Sequence, residues 1–267
     1  MSKYWHVINI GIQNTLVYRL NYFTKAGILL IPLMAVILLW KKIYEGSDTG
    51  VIGGFTLGHM ISYYLVVTIV DSLTGVAEDD WQIAGEIRDG QISQFLLKPV
   101  DYLRYRLCLF AAGRVVYTMA AVIPVGAFIL YQAEFFVLPK DGQTVVLFGC
   151  SIFLAALLQF FISYTMALMA FWVLEVSTLI FILFAFEYIA GGHMFPLAIL
   201  PDSIQTILSF TPFPYQMYFP ASIYLGQISG PELVQGFCIQ LAWVVTCYGL
   251  ARFVWSKGIR KYESVGG

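Results

Sequence analysis

The sequence predicts an all-α polytopic membrane protein, a single domain over residues 1–267 with six transmembrane helices. Of its 267 residues, 59% are hydrophobic and 12% are charged, whereas soluble domains are roughly a quarter charged. Apolar runs near the length of about 20 residues that a helix needs to cross a bilayer recur along the chain. The net charge of −1 gives no general attraction to nucleic acid, so no nucleic-acid partner is expected.

Residues 1–25 are predicted to form an amphipathic helix that lies at the membrane interface. Trp5, Ile8 and Ile12 follow one another at three or four residues and therefore line one helical face. Tryptophan and tyrosine prefer the headgroup level of a bilayer. A poorly ordered tail is the alternative. A cleavable signal peptide is not expected, because no compact apolar core precedes a small-residue cleavage site.

Six apolar runs follow, and each is predicted to be one membrane span. Short charged or glycine-containing intervals separate most of them. The predicted spans are residues 26–43, 51–77, 107–131, 144–174, 178–190 and 233–254. The fifth is the shortest and breaks at Gly191 and Gly192.

Residues 191–230 connect the fifth span to the sixth and are predicted to form short re-entrant helices on the outer side of the membrane. The interval is too apolar for a free loop, and its prolines exclude one continuous helix. These prolines are Pro196, Pro201, Pro212, Pro214 and Pro220. Irregular backbone is tolerated at membrane depth where protein buries it or where it lines a wet cavity.

The positive charges predict the orientation. If both chain ends are cytoplasmic, twelve of the fifteen Lys and Arg residues fall on that side, and Lys41, Lys42 and Lys140 fall outside. Cytoplasmic loops of membrane proteins carry such an excess. The interval between the second and third spans is then cytoplasmic, and residues 191–230 face outward.

That cytoplasmic interval, residues 81–99, has a composition of its own. Charged residues alternate there with large apolar ones, which neither a solvated loop nor a membrane span needs. The charged residues are Glu86, Arg88, Asp89 and Lys98, and the apolar ones include Ile83, Ile87, Ile92, Phe95, Leu96 and Leu97. The pattern predicts a short amphipathic helix or helix pair that docks a partner and ends at Pro99, since proline disfavours helix at the residue before it.

Motifs for catalysis and for metal or nucleotide binding do not occur in the sequence. It contains no P-loop pattern for ATP, no His-Glu-x-x-His motif and no Gly-x-Ser-x-Gly motif. The three histidines lie in separate segments, so no metal site, no catalytic residue and no cofactor is expected in this chain. The four cysteines lie in apolar runs and are predicted to be small buried hydrophobes without disulfides.

The ionisable residues Asp71, Arg114 and Glu187 lie inside predicted spans, where a charge is costly and usually faces a bundle interior or a wet path. Asp71 and Glu187 are interpreted as residues of a substrate path, together with Tyr63 and Phe186. Alternatives stay open. Asp71 would pair with Arg114 to lock two helices, Glu187 would lie at the outer interface, and the aromatic residues would serve helix packing.

Two motifs resemble those of type-2 ABC exporter permeases, in a bacterial branch of transport-system permeases. The first motif reads Glu86-Ile87-Arg88-Asp89-Gly90-Gln91-Ile92, with Leu96-Leu97-Lys98-Pro99 after it. The second reads Gly191-Gly192-His193-Met194-Phe195-Pro196-Leu197, then Leu200-Pro201, Thr211-Pro212-Phe213 and Phe219-Pro220. The resemblance covers nearly the whole chain, including the number of spans and the N-terminal helix.

The resemblance implies partners and residue roles. Residues 81–99 would be the coupling helix, seated in a groove on a P-loop ABC ATPase, and a pair of these ATPase subunits would bind ATP and Mg. The expected coupling residues are Ile87, Ile92, Phe95 and Leu96 in the groove, Glu86, Arg88 and Asp89 at its rim, and Gly90 and Gln91 between them. The expected outer-gate residues are Gly191, Gly192, Phe195, Pro196, Pro201 and Pro212. A second copy of the chain, or a paralogous permease, would complete the complex among the lipids of a bacterial cell (inner) membrane, with the second and fifth spans along the substrate path.

The sequence thus predicts the permease subunit of an ATP-driven exporter for an amphiphilic or hydrophobic substrate, working by alternating access and without enzyme activity of its own. Two other functions stay open. A lipid-modifying membrane enzyme would use Asp71 or Glu187 as acid or base, and a structural subunit would share the topology but transport nothing. The presence of a neighbouring gene for a P-loop ATPase would argue against the membrane enzyme. Substrate-stimulated ATP hydrolysis by the reconstituted complex would argue against the structural subunit.

Overall fold

The computed structural model describes residues 2–48, 50–76, 79–173 and 175–262, and within these ranges the chain is almost entirely helical. The elements in chain order are α1 (Ser2–Val17), α2 (Arg19–Glu45), β1 (Val51–Ile52), β2 (Phe55–Thr56), α3 (Leu57–Thr74), α4 (Asp79–Arg88), α5 (Ile92–Leu96), α6 (Tyr102–Tyr131), α7 (Gly142–Ala167), α8 (Ser177–Ala190), α9 (Asp202–Ser209), α10 (Tyr218–Tyr224) and α11 (Gly230–Lys261). Short 3-10 turns lie at Ala133–Phe135, Leu168–Phe171, Leu197–Ile199 and Phe213–Tyr215. The predicted all-α polytopic class is confirmed, while the predicted span ends at 77 and 174 lie outside the described residues.

Five helices in the described part of the chain are long and apolar enough to cross a membrane. They are Leu20–Glu45, Leu57–Thr74, Tyr102–Tyr131, Gly142–Phe171 and Gly230–Lys261. The predicted fifth span corresponds to α8, which has 14 residues and is therefore about 21 Å long at 1.5 Å per residue. The hydrocarbon core of a bilayer is about 30 Å thick. The six-span count is therefore not confirmed, because α8 alone does not reach across.

The N-terminal helix is shorter than the interval predicted for it. α1 ends at Val17 and α2 begins at Arg19, so Lys25 belongs to the first span. α1 lies along α6, where a Cβ on Gly11 would be 2.9 Å from the Cβ of Ala112. This close approach fixes α1 on α6. The interfacial position of α1 stays a prediction.

A β-hairpin precedes the second span. Val51 pairs with Thr56, and the turn between the strands uses Gly53 and Gly54 at φ values of +56° and +81°. Positive φ at both turn positions matches the right-handed twist of a hairpin and favours glycine. α3 begins only at Leu57, with the Thr56 hydroxyl accepting a hydrogen bond from a backbone amide of its first turn. The predicted start of this span at residue 51 is wrong.

α3 lies at the centre of the bundle and is buried along almost its whole length, with α2, α6, α7 and α10 packed around it. A second set of contacts joins α7 to α11 and to residues 215–216 of the proline-rich interval. Gln240 is 0% exposed and donates to the backbone oxygens of Ser151 and Tyr215 at 3.0 and 2.8 Å. Gln216 donates to Gln159 at 2.7 Å. Because polar groups in a bilayer must be satisfied within the protein, these bonds hold the proline-rich interval inside the bundle.

Contacts between distant parts of the chain define two ends of the bundle. Lys3 donates to the backbone oxygen of Pro99 at 2.7 Å, and Tyr262 donates to that of Gly90 at 2.6 Å. Lys3 of α1 and Tyr262 after α11 therefore contact the segment from α4 to Pro99 at one end of the bundle, which is here called the terminal end. The opposite end of the bundle carries the β-hairpin and is here called the hairpin end. There the hairpin turn packs closely on the proline-rich interval, since a Cβ on Gly53 would be 3.1 Å from the Cα of Ile199.

The four cysteines are free thiols in different surroundings. Cys247 is buried and Cys108 is half-buried, but Cys150 and Cys238 are exposed on the bundle surface. The prediction that all four are buried is therefore wrong for two of them. An apolar run does not separate these cases, because a membrane helix turns apolar side chains toward lipid as well as toward the protein interior.

Candidate functional site

Residues 81–99 form two short helices at the terminal end of the bundle. α4 and α5 are joined by a turn at Gly90, and α5 ends at Leu96, before Pro99. The alternation of charged and apolar residues predicted either one amphipathic helix or a helix pair, ending at Pro99. The structure contains the helix pair.

The apolar side chains of this helix pair mostly face the chain's own core. Ile87 is 4% exposed and Ile92 is 0% exposed, so neither side chain is available to fill a groove in another protein. The prediction that they do so is wrong for this arrangement. Phe95 is half-buried beside Tyr102 and Tyr105, with ring centroids 5.2 and 5.0 Å away. The alternation of charged and apolar residues correctly indicated that the helix pair has a buried face. It did not indicate whether the chain itself or a partner protein covers that face.

A second face of the helix pair is accessible. Leu97 is 88% exposed and Leu96 is 50% exposed. The full set of exposed positions is Trp81, Gln82, Arg88, Asp89, Gln91, Gln94, Leu96, Leu97, Lys98 and Pro99. This set is here called the docking face. The predicted coupling residues that belong to it are Arg88, Asp89, Gln91 and Leu96.

Glu86 has its partners within the chain. Its carboxylate forms an ion pair with Arg106 of α6 and accepts a hydrogen bond from the Tyr102 hydroxyl at 2.6 Å. Arg106 Nε donates to the same hydroxyl at 3.1 Å, and the Arg106 side chain is 2% exposed. The expectation that Glu86 sets the register at the rim of a partner's groove is corrected, since its carboxylate attaches α4 to α6.

α6 and α11 are joined at the same end of the bundle. Asp101 Oδ2 lies 2.5 Å from the Nη1 atom of Arg252. The Asp101 carboxylate also accepts a hydrogen bond from the backbone amide of Arg104 at 3.0 Å. Burial opposes ionisation of the Asp101 carboxyl group, but the Arg104 amide and Arg252 outweigh it and lower its pKa below the ordinary value. Asp101 is therefore a carboxylate at neutral pH, and it connects the two helices that hold α4 and α5.

Replacing Tyr262 by phenylalanine tests how firmly the α4–α5 turn is held. The variant loses only the hydroxyl that donates to Gly90, while the ring keeps its edge contact with Phe171 at 6.0 Å. We expect a loss of about 1 kcal/mol of local stability, measured as faster hydrogen exchange of the turn amides with unchanged exchange in α3. Tyr18→Phe, at the exposed α1–α2 junction, is the matched control. Equal exchange rates in the two variants would show that the Tyr262 hydroxyl does not hold the turn.

A cavity of about 400 Å³, partly open to the outside of the chain, lies between α2, α3, α7 and α8. Asp71 and Glu187, predicted as path residues, both line it, and Gln159 and His193 line it as well. His193 Nε2 lies 3.8 Å from Asp71 Oδ1. Glu187 is 4% exposed, with the Gln159 side chain against its carboxyl group. The interpretation of Glu187 as a residue of the outer interface is therefore wrong.

The two other predicted path residues lie outside the lining of this cavity. Tyr63 is fully buried, and its hydroxyl donates to the backbone oxygen of Gly192 at 2.5 Å. Phe186 is exposed on α8 and packs edge-on against Phe213, with ring centroids 5.2 Å apart. Their assignment to the substrate path stays a prediction. The missed residue is His193, whose only sequence signal was its place directly after the two glycines.

Arg114 lies on α6 with its guanidinium 5.0 Å from the ring centre of Tyr117 and 5.9 Å from that of Phe110. Asp71 lies beside His193, with 3.8 Å between His193 Nε2 and Asp71 Oδ1. The proposed lock between Asp71 and Arg114 stays a prediction.

The last turn of α8 ends inside the protein, and backbone amides of the following turn satisfy its carbonyl groups. The Gly191 amide donates to the Glu187 oxygen at 2.7 Å, and the Met194 amide donates to the Tyr188 oxygen at 3.2 Å. Residues 191–194, here called the α8 turn, therefore complete the helix end where it would otherwise leave bare carbonyl groups.

Two tyrosine hydroxyls of α3 fasten the α8 turn. Tyr63 donates to the Gly192 oxygen, and Tyr64 donates to the Met194 oxygen at 2.7 Å while accepting from Trp40 Nε1 at 2.8 Å. The other predicted gate residues differ in exposure. Pro196 is buried, Phe195 and Pro212 are half-buried, and Pro201 is exposed. Their role as an outer gate stays a prediction.

The bundle, the fastened helix pair at its terminal end and the cavity define a multi-pass membrane protein of the transport class. The chain belongs to the ABC-2 family transporter proteins, whose family model matches residues 30–266. Membership makes it the permease component of an ABC transporter, a membrane subunit that associates with an ABC ATPase and is generally not catalytic itself. No curated protein matches the chain.

Proposed function

We propose that this chain is the permease subunit of an ATP-driven exporter that moves an amphiphilic or hydrophobic substrate out across the inner membrane of a bacterial cell. It acts with a second copy or a paralogous permease on a pair of ATPase subunits that bind ATP and Mg. The α4–α5 helix pair is the coupling element, and the docking face is its contact surface for the ATPase.

One observation carries this proposal. The helix pair is fastened to the bundle on one side, through Glu86, Arg106 and Tyr102, and exposes Leu96 and Leu97 on the other. Large exposed apolar residues beside charged ones suit a protein contact, in which apolar side chains carry most of the affinity and rim charges set orientation. An element held in this way passes a push from its outer face to α6 rather than bending.

The mechanism follows from these connections. ATP binding closes the ATPase pair, and the closure moves the docked helix pair. Because α4 follows α3 in the chain and is ion-paired with α6, both spans receive the movement. Binding energy at the nucleotide site thereby shifts the equilibrium between inward-open and outward-open states.

The distribution of cations supports a cytoplasmic terminal end. Lys3 lies at Pro99, and Arg252 lies at Asp101. At the hairpin end, Lys140 lies beside Gly226. Because cytoplasmic segments carry the excess of positive charge, this arrangement supports the proposal that the terminal end, with its docking face, is cytoplasmic.

Replacing Leu97 by aspartate tests the docking face. The side chain is 88% exposed, so folding changes by no more than about 0.5 kcal/mol, while a charge in an apolar contact weakens ATPase binding. We expect ATPase recovery in an affinity pull-down from gently solubilised membranes to fall at least about tenfold, the equivalent of about 1.4 kcal/mol. Leu138→Asp is the matched control, since Leu138 is 72% exposed and lies beyond α6 at the hairpin end.

The contradictory outcome is clear-cut. If the Leu97→Asp and Leu138→Asp variants recover the same amount of ATPase, the docking face lies elsewhere. Ile92→Asp is unsuitable for this test, because a carboxylate at a position that is 0% exposed would destabilise the chain itself.

A further inference from the structure

The cavity between α2, α3, α7 and α8 combines apolar walls with two carboxyl groups. Leu33, Val67 and Phe184 contribute to the walls, and Asp71 and Glu187 line the same space. Its volume of about 400 Å³ lies in the range of about 300–1,000 Å³ that holds drug-sized ligands. The space is therefore large enough for an organic molecule rather than for water alone.

Acidic groups dominate the charge in and around this cavity. Three ionisable side chains act electrostatically on Glu187, namely His193, Asp71 and Asp80, and two of the three are carboxyl groups. Among the described residues, no lysine or arginine lines the cavity, and Arg114 lies outside the lining. A carboxylate in a medium of low dielectric is costly unless a positive charge compensates it. Glu187 is 4% exposed, and an organic cation in the cavity would supply that charge.

We infer that the cavity binds an organic cation with an apolar body, and that Glu187 and Asp71 recognise its positive charge. This inference rests on the proposed permease function and specifies the substrate class as cationic amphiphiles. The apolar walls remove the body of the molecule from water, and the cation compensates the two carboxyl groups. An anion of the same shape would add like charge in a low-dielectric space, where repulsion is strong.

Access from the bilayer fits the same class of molecule. α2 and α8 both line the cavity but do not pack closely on each other. Amphiphilic cations partition into the membrane, so they reach such a space laterally without first crossing water.

The first experiment compares two probes of the same shape and opposite charge. Tetraphenylphosphonium and tetraphenylborate are each titrated by equilibrium dialysis against the full chain in lipid nanodiscs, with empty nanodiscs as the background. We expect saturable binding of tetraphenylphosphonium and only background partitioning of tetraphenylborate. Saturable binding of both ions with equal affinity, or of neither, would overturn the inference, and this comparison needs no variant.

The second experiment assigns the charge recognition. Glu187→Gln is expected to weaken tetraphenylphosphonium binding by about tenfold or more, because it removes the buried partner of the bound cation. Asp71→Asn is expected to weaken it less, because the Asp71 side chain is 36% exposed and water screens its charge. Asp202→Asn is the control, since Asp202 is exposed on α9 and lies outside the lining. Unchanged affinity in a correctly folded Glu187→Gln variant would remove Glu187 from the site.

Failure of this inference and failure of the proposed function give different results. If an ATPase is recovered with the chain but tetraphenylphosphonium does not bind, the cation site is wrong and the permease proposal stands. If tetraphenylphosphonium binds saturably but no ATPase is recovered, the cation site stands and the coupling proposal is wrong.

Discussion

Replacing Arg106 by methionine is expected to loosen α4 from α6 without removing any residue of the docking face. Arg106 is 2% exposed and pairs with Glu86 while donating to Tyr102. Removing one partner of a buried ion pair costs about 3–5 kcal/mol, because the other charge stays behind uncompensated. Glu86 is 21% exposed, so water reaches part of the carboxylate and the lower end of this range applies.

Two measurements check this expectation. Hydrogen exchange of the α4 amides should accelerate by more than about tenfold, since about 1.4 kcal/mol corresponds to each factor of ten. Substrate-stimulated ATP hydrolysis in the reconstituted complex should fall, although the ATPase still binds through Leu96 and Leu97. The double variant Arg106→Met, Glu86→Gln should regain part of the lost stability, because it leaves no bare charge.

Arg88→Met is the matched control. Arg88 pairs with Asp89 at 3.3 Å, but both side chains are more than half exposed, and exposed pairs contribute about 0–1 kcal/mol. Equal acceleration of α4 exchange in the Arg88 and Arg106 variants would mean that the buried pair does not hold α4.

Replacing Gly192 by alanine is expected to disrupt the α8 turn. Gly192 has a φ of +90°, which costs a residue with a Cβ about 1–2 kcal/mol. The added Cβ would lie 2.6 Å from the Tyr63 hydroxyl oxygen and 3.1 Å from the Cβ of Tyr218. Overpacking of a buried site adds about 1–3 kcal/mol. We expect a clear fall in the midpoint of thermal unfolding and faster proteolysis within residues 191–230.

Gly54→Ala separates the two contributions. Gly54 has a comparable φ of +81°, but a Cβ there would have open space around it. This control therefore carries only the backbone cost. If Gly192→Ala destabilises the chain no more than Gly54→Ala does, Tyr63 does not pack tightly on the turn.

The fold class could be predicted from the sequence because it depends on composition and on the length of apolar runs. The boundaries of the helices were harder to predict where turn-forming residues, rather than hydropathy, decide the local structure. Val51 and Ile52 look like the start of a membrane helix, yet Gly53 and Gly54 turn them back into a hairpin. Lys25 looks like the end of an interfacial helix, but α2 already includes it. An apolar run alone does not distinguish a strand from a helix start.

The helix pair between the second and third spans was predictable as an amphipathic element, but the use of its residues was not. Ile83 and Ile87 are four residues apart in the chain, a spacing that indicates one buried helical face. Whether the chain itself or a partner covers that face depends on tertiary packing. Here the chain covers both residues, and the accessible apolar residues are Leu96 and Leu97.

The set of residues that meet at the cavity could not be predicted from the sequence either, because they come from distant parts of the chain. Asp71 and Glu187 stood out as charges within apolar runs, a property that the sequence displays directly. Their convergence with His193 requires the proline-rich interval to enter the bundle, and it does so through contacts such as that of Gln216 with Gln159. Pairings between residues so far apart in the chain leave no periodic signal, so sequence reasoning had no means to find them.

The ending of α8 inside the protein has a mechanical consequence. Its last carbonyl groups accept hydrogen bonds from the α8 turn, and leaving them bare in hydrocarbon would cost several kcal/mol each. α8 and its turn must therefore move as a rigid body. The hydroxyls of Tyr63 and Tyr64 tie that body to α3, the span that leads directly into α4. A movement of the terminal end is therefore transmitted to α8, the helix that carries Glu187. The transmission depends on two hydrogen bonds, those donated by the Tyr63 and Tyr64 hydroxyls.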